Sequence, residues 1–241
     1  MNKLIDTHFH LDFYKNHSQI YSQINKLEQY TLCVTNSPGV FLSCLKLYPE
    51  TKYVKFALGF HPQDISTNKL SIRDFKQCLN RANYIGEIGV DLSAKYANSE
   101  KIQLANFTAI VELAKQHNKL TSVHVRNAED KIVEIMDRIR PQKCIIHWFN
   151  GNEEQLNALV ELGCYFSLNT HMLSSQSQVD RIKSIPIDRI LIESDGPFTK
   201  VKKKLYSPAL LKDAYSIIES LLEVKDLKDI VYNNFRYLLL R

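Results

Sequence analysis

Nowhere in the 241 residues does an apolar run approach the roughly 18 needed to cross a bilayer, so a membrane-spanning helix is excluded and no membrane partner is expected. Met1-Asn2-Lys3 leads into a short strand-like stretch without the apolar region and small-residue cleavage site of a secretory leader. The expected compartment is therefore cytoplasmic. Cysteine is scarce. The five present (Cys33, Cys44, Cys78, Cys144, Cys164) are odd in number and lack CxxC spacing, which fits reduced, buried thiols and excludes a thiolate zinc site. Strong charge of one sign is also missing: +5 permits a nucleic-acid partner without identifying one. No linker, repeat or low-complexity tract divides the chain, so one domain spanning 1–241 is expected.

What is present is alternation. Short apolar runs at Leu4–Thr7, Thr31–Thr35, Val54–Leu58, Tyr84–Glu87, Thr121–Val125, Cys144–His147, Cys164–Leu168 and Arg189–Glu193 are separated by longer amphipathic segments. That is the pattern of repeated β-α units, and eight strands predict an α/β fold of the TIM (β/α)8 barrel type. Residues 100–117 read as a helix with Ser99 as N-cap and an apolar stripe at Ile102, Ala105, Ala109 and Leu113. Asn152 and Gln155 read as a capping box, Gly163 as the residue after a helix end, and segments 210–222 and 226–239 as closing helices.

Candidate ligands fall at the predicted strand ends. His8 and His10 are two apart, so in extended chain both imidazoles face one side. Glu87 lies in Gly86-Glu87-Ile88-Gly89, where flanking glycines allow a carboxylate to approach or bridge two cations. His124, His147 and Asp195 end the fifth, sixth and eighth runs. Each alone has an ordinary explanation, such as a surface histidine pair or a turn. Together they would converge on the face where parallel barrels build their sites, and imidazoles with carboxylates suit Zn, Mn, Co or Mg. Six of the seven glycines (Gly59, Gly86, Gly89, Gly151, Gly163, Gly196) also fall near strand ends, as that convergence requires.

The motifs His8-Phe9-His10, Gly59-Phe60-His61-Pro62, Gly86-Glu87-Ile88-Gly89-Val90-Asp91, His124-Val125-Arg126-Asn127-Ala128, His147-Trp148-Phe149-Asn150-Gly151 and Glu193-Ser194-Asp195-Gly196-Pro197 resemble, in order and along nearly the whole chain, those of the TatD family of metal-dependent deoxyribonucleases. Asn234-Phe235-Arg236 is similar to the family's closing helix. The resemblance implies a TIM-barrel hydrolase with two divalent ions, or three. It assigns His8, His10, Glu87 and Asp195 to one ion and Glu87, His124 and His147 to the second, with Glu87 as bridge. It also implies phosphodiester cleavage in DNA, as a 3′-5′ exonuclease preferring single strands. Within the family, Trp148, Gly163–Ser167 and the Asp195–Phe198 ending are most similar to the TatD-like member of the Qat anti-phage defence system, which implies other subunits of such a system as partners. Leu92-Ser93 departs from the aromatic pair many relatives carry there.

In that chemistry Asp195 is the best-suited acid/base group, being able to hold a metal and accept a proton, with Glu87 beside it. Arg126 lies two residues past His124, so its guanidinium can share that face and meet a phosphate. His61 is a phosphate- or water-positioning candidate, Trp148 a base-stacking candidate, and Lys200 with Lys202–Lys204 a candidate track for a nucleic-acid backbone. Phe149 and the remaining histidines His17 and His117 read as packing and surface, with His171 bordering the mouth. Two rivals remain open: an amidohydrolase acting on an ester, amide or aminoacyl bond, and a non-catalytic nucleic-acid-binding subunit. Glu87 stands where the best-known binuclear amidohydrolases use a carbamylated lysine.

Overall fold

A computed structural model of the protein describes residues 2–65 and 71–241. Eight parallel strands follow one another around a barrel in chain order: β1 (Ile5–Phe9), β2 (Tyr30–Cys33), β3 (Val54–Phe60), β4 (Tyr84–Asp91), β5 (Leu120–Arg126), β6 (Cys144–His147), β7 (Tyr165–Leu168) and β8 (Ile190–Ile192). The strands are buried along almost their whole length because helices cover their outer faces. Those helices are α1 (His17–Leu27), α2 (Pro38–Leu47), α3 (Pro62–Ile65), α4 (Ile72–Cys78), α5 (Glu100–Gln116), α6 (Glu129–Ile139), α7 (Glu153–Glu161), α8 (Gln176–Ser184), α9 (Leu211–Leu222) and α10 (Leu227–Leu240). A short antiparallel hairpin, β9 (Lys200–Val201) with β10 (Lys204–Leu205), follows β8. Among the described residues, no helix is long and apolar enough to cross a membrane.

All eight expected strands are present, as are the Asn152–Gln155 capping box and Gly163, at φ 82°, just past the end of α7. Two expectations about α5 fail. Ser99 makes no cap; its hydroxyl donates to the Tyr96 carbonyl and accepts from Gln103. The buried face is Gln103, Phe107, Ile110, Val111 and Ala114, while Ile102 is half exposed. The reason is Gln103, a polar residue that an apolar count skips. Its amide accepts from Asp91 N at 2.8 Å and donates to Asp91 O at 2.9 Å, and these bonds turn its side of the helix inward.

The barrel nearly closes between β1 and β8. Thr7 Oγ1 donates to Ile192 O at 3.1 Å, Asp195 N to His8 O at 2.9 Å and His10 N to Gly196 O at 2.9 Å. The buried Asp6 carboxylate ties the same seam by accepting from Ser194 N at 2.9 Å and Tyr206 Oη at 3.2 Å. Burial pushes its pKa up to about 7 against those hydrogen bonds.

Three bulges then shape the C-terminal face. Register shifts fall between Asp6 and Phe9, between Leu58 and Phe60, and between Ile85 and Ile88. A bulge re-aims the side chains beside it. Here they set His8, His61 and Glu87 toward the barrel axis.

Candidate metal centre

Glu87 is the hub. Contrary to the expectation that it ends its strand, β4 runs on to Asp91, and Glu87 sits at the bulge four residues earlier. Its N–H donates to Thr35 O at 2.9 Å, which fixes the backbone inside the barrel. The two carboxylate oxygens face different imidazoles. Oε2 lies 3.4 Å from His8 Nε2 and 3.3 Å from His10 Nε2. Oε1 lies 2.9 Å from His124 Nδ1, 3.2 Å from His147 Nε2 and 3.2 Å from His61 Nε2. Asp195 joins the first set, with Oδ1 3.4 Å from His10 Nε2 and 3.9 Å from His8 Nε2. It lies three residues beyond β8, in the left-handed region at φ 48°.

These separations fit divalent cations. Nitrogen and oxygen ligands lie about 2.1 Å from such an ion, so two tetrahedral ligands sit about 3.4 Å apart. The groups His8–Glu87–His147, His8–His10–Asp195 and His61–Glu87–His124 each bring their ligand atoms within 4.8 Å of one another. The far sides of the imidazoles fit as well. His147 Nδ1 meets Glu193 Oε1 at 3.3 Å, His8 Nδ1 meets Ser122 Oγ at 2.8 Å, and His124 Nε2 points at Asp91 Oδ2 from 3.6 Å. An acceptor behind one ring nitrogen holds the proton there and leaves the other nitrogen's lone pair for a cation. His61 is set differently. Its Nδ1 accepts from Gln63 N at 3.2 Å, so the neutral ring carries its proton on Nε2 and donates toward Glu87. In this arrangement it is a donor for a carboxylate or phosphate oxygen.

Electrostatics give the same reading. Burial, with the charge of neighbouring His147, pushes His8 down to about 3, a neutral imidazole at any ordinary pH. Burial also works against charge on His10, but hydrogen bonds to Asp195 and Glu87 outweigh it and raise the pKa to about 10. His147 is raised against burial by Glu193 and Glu87, and Glu87 is held low against burial by the imidazoles around it, among them His147, and by the hydrogen bond from His10. The buried carboxylates demand positive charge. Protons supply it when no cation is bound, and a divalent ion on the same atoms displaces them.

A cavity of 560 Å³ opens above the cluster, lined by Phe13, Gln63, Arg126, Trp148, Asn150, His171, Gln178 and Phe198 as well as every ligand residue except the fully buried His8. Arg126 ends β5, exposed, and its guanidinium bonds to no described residue. Trp148, half-buried at φ 43°, packs against His171 with ring centroids 5.2 Å apart. Phe149 is buried against Phe166 as expected. Lys200 is not on the cavity wall. It lies exposed on the β9–β10 hairpin, where its carbonyl accepts from Thr170, and Lys202 pairs with Asp213 at 2.9 Å.

Sequence reading missed Glu193, Asp91, Ser122 and Asp6. Glu193 is fully buried and holds His147, and it accepts from Asn169 Nδ2 at 2.8 Å and from Ser167 Oγ. Its place two residues before Asp195 was the available signal, since alternate residues of an extended segment share a face.

A family model for TatD-related DNases matches residues 5–240. An uncharacterized metal-dependent hydrolase of Buchnera aphidicola is 30% identical over 210 residues, 81% of this chain and 78% of that protein. The deoxyribonuclease Tat-D of Schizosaccharomyces pombe is 22% identical over 144 residues, 58% of this chain and 46% of that one. The crystal structure of YJJV, a TatD homologue of Escherichia coli, superimposes with a TM-score of 0.85 at 22% identity, covering 98% of this chain and 97% of the other.

Proposed function

Because the chain belongs to the TatD-related DNase family and is a metal-dependent hydrolase, we propose that it cleaves phosphodiester bonds of single-stranded DNA, working as a 3′-5′ exonuclease. The observation that carries this reading is Glu87, whose two oxygens address separate imidazole sets beneath a cavity lined by Arg126, whose guanidinium has no partner among the described residues. His8, His10, Glu87 and Asp195 would hold one divalent ion, and Glu87, His124 and His147 the second. The imidazole-rich set favours Zn or Co, and its carboxylates also admit Mn or Mg.

When bound, the ions polarise a phosphoryl oxygen, acidify water and stabilise the departing oxygen. The residues do the rest. Arg126 grips a non-bridging phosphate oxygen with its guanidinium fork. His61 Nε2–H is poised to donate to another. Asp195 accepts the proton of the attacking water as its oxygen bonds to phosphorus and the P–O3′ bond breaks. Trp148 offers its face to a base.

The likeness of Trp148, residues 163–167 and residues 195–198 to the Qat-system member supports a role in anti-phage defence alongside partner subunits in the cytoplasm. The test is hydrolysis of a 3′- or 5′-labelled single-stranded oligonucleotide in Mn, in Mg and in EDTA. Metal-dependent loss of nucleotides from the 3′ end is the expected result. An inert oligonucleotide beside a hydrolysed ester or aminoacyl bond would replace the nuclease with an amidohydrolase.

A further inference from the structure

Two phenylalanines stand exposed at the mouth of the cavity. Phe13 is 46% exposed on the 3-10 turn that follows β1, and Phe198 is 52% exposed just after the Gly196-Pro197 turn that follows β8. They come from opposite ends of the chain yet meet edge to face, with centroids 5.0 Å apart at 69°. Both also pack edge-on against His10, at 5.4 Å and 5.2 Å. Phenyl rings have no hydrogen-bonding group, so what they can recognise is a flat apolar or π surface. A pair of them half in water, on the rim of a polar site and in contact with a candidate ligand, marks a binding surface rather than packing.

We propose that Phe13 and Phe198 form a stacking wall for an unpaired nucleobase adjoining the scissile phosphate. The proposal rests on the single-strand phosphodiesterase reading above. The wall sits on the β1–β8 arc of the rim, and Trp148 with His171 sits on the neighbouring β6–β7 arc, both lining the cavity above the ligand cluster. A strand entering the cavity thereby has two aromatic faces within the same mouth on which its bases can stack. Bases in a duplex already have their faces stacked and cannot use either wall, so the arrangement selects single strands or frayed ends.

The experiment compares a thymidine decamer with a decamer of the same length carrying tetrahydrofuran abasic residues. Cleavage is followed in Mn and binding by fluorescence anisotropy in EDTA, for the wild-type protein, Phe13→Leu, Phe198→Leu and Phe198→Tyr. In the wild type the base-bearing decamer is expected to be preferred in kcat/KM and in affinity. Each Leu variant should lose about fivefold or more of that preference through KM, the lower end of one base–aromatic stack. Cleavage of the abasic decamer should fall less than cleavage of the thymidine decamer, and Phe198→Tyr should keep the wild-type preference for bases. Leu variants that keep the full preference for bases in both readouts would overturn the wall. Failure of the wild type to cleave either decamer, with base-dependent binding still lost in the Leu variants, would overturn the hydrolysis reading and leave the wall standing.

Discussion

Gly59→Ala is expected to cost the protein much of its stability and its metal. A Cβ at Gly59 would fall 1.4 Å from the Thr35 carbonyl oxygen and 2.3 Å from its carbon. Ordinary contact needs about 3.5 Å, so strand β3 and the Thr35 backbone must separate by roughly 2 Å. Thr35 has no slack to give. Its carbonyl accepts from Glu87 N at 2.9 Å, its N–H donates to Gly86 O at 3.0 Å, and its hydroxyl bridges Gly59 N at 3.1 Å to Ala57 O at 2.9 Å. Overpacking costs about 1–3 kcal/mol. Each buried partner left unsatisfied adds about 1–3 kcal/mol, and at least the two bonds at Glu87 and Gly86 are lost. The sum, about 3–9 kcal/mol, is a large part of a typical domain's 5–15 kcal/mol. Urea unfolding gives the stability, and inductively coupled plasma mass spectrometry of protein equilibrated with Mn or Zn gives the stoichiometry. Gly39→Ala in α2 is the control, because its Cβ would meet nothing nearer than Ser37 Oγ at 3.9 Å and should leave stability equal or about 0.5–1 kcal/mol higher. If Gly59→Ala unfolds at the wild-type urea midpoint with a full metal complement, the role given to the Thr35–Glu87 contact is wrong.

Asp195→Asn removes a proton acceptor while keeping the side chain's shape. Turnover should collapse while the protein still folds and unfolds in one cooperative transition, and wild-type turnover would remove Asp195 from the chemistry. Glu193→Gln takes the charge from behind His147, so metal affinity measured by calorimetry should fall about 10- to 100-fold. Activity should return when the metal concentration is raised, and loss that excess metal cannot restore would point to misfolding instead. Adding Mn or Zn at 100 times its dissociation constant should stabilise the fold by about 2.7 kcal/mol and raise Tm, with EDTA reversing the gain. A Tm indifferent to both would mean that the cluster binds no cation.

Charge explains why the centre couples so tightly to the fold. Two carboxylates and five imidazoles are collected from six strands or the turns after them, and almost all are buried. Such a cluster is costly unless each polar atom is paired. Ser122 and Glu193 pair with His8 and His147, and Asp91 sets its charge 3.6 Å behind His124, which is why removing any of the three should loosen both metal and barrel.

The sequence alone determined the eight strands, the closing helices and the ligand residues in or just after those strands. Those features depend on local periodicity and turn chemistry, which a chain carries within a few residues of itself. His8 and His10 were legible because two-residue spacing faces them alike in any extended segment, and Asn152–Gln155 because a capping box is a local bond. Only the tertiary structure decided that Glu87 splits its oxygens between two imidazole sets, that His61 keeps its proton on the inward nitrogen, and that Gln103 rather than Ile102 turns toward the barrel. It also joined Phe13 to Phe198 across 185 residues of chain and set Glu193 behind His147. These pairings follow from strand register and from closure of β1 against β8, which bring distant segments within a few ångströms, and no local pattern records which partner a residue meets there.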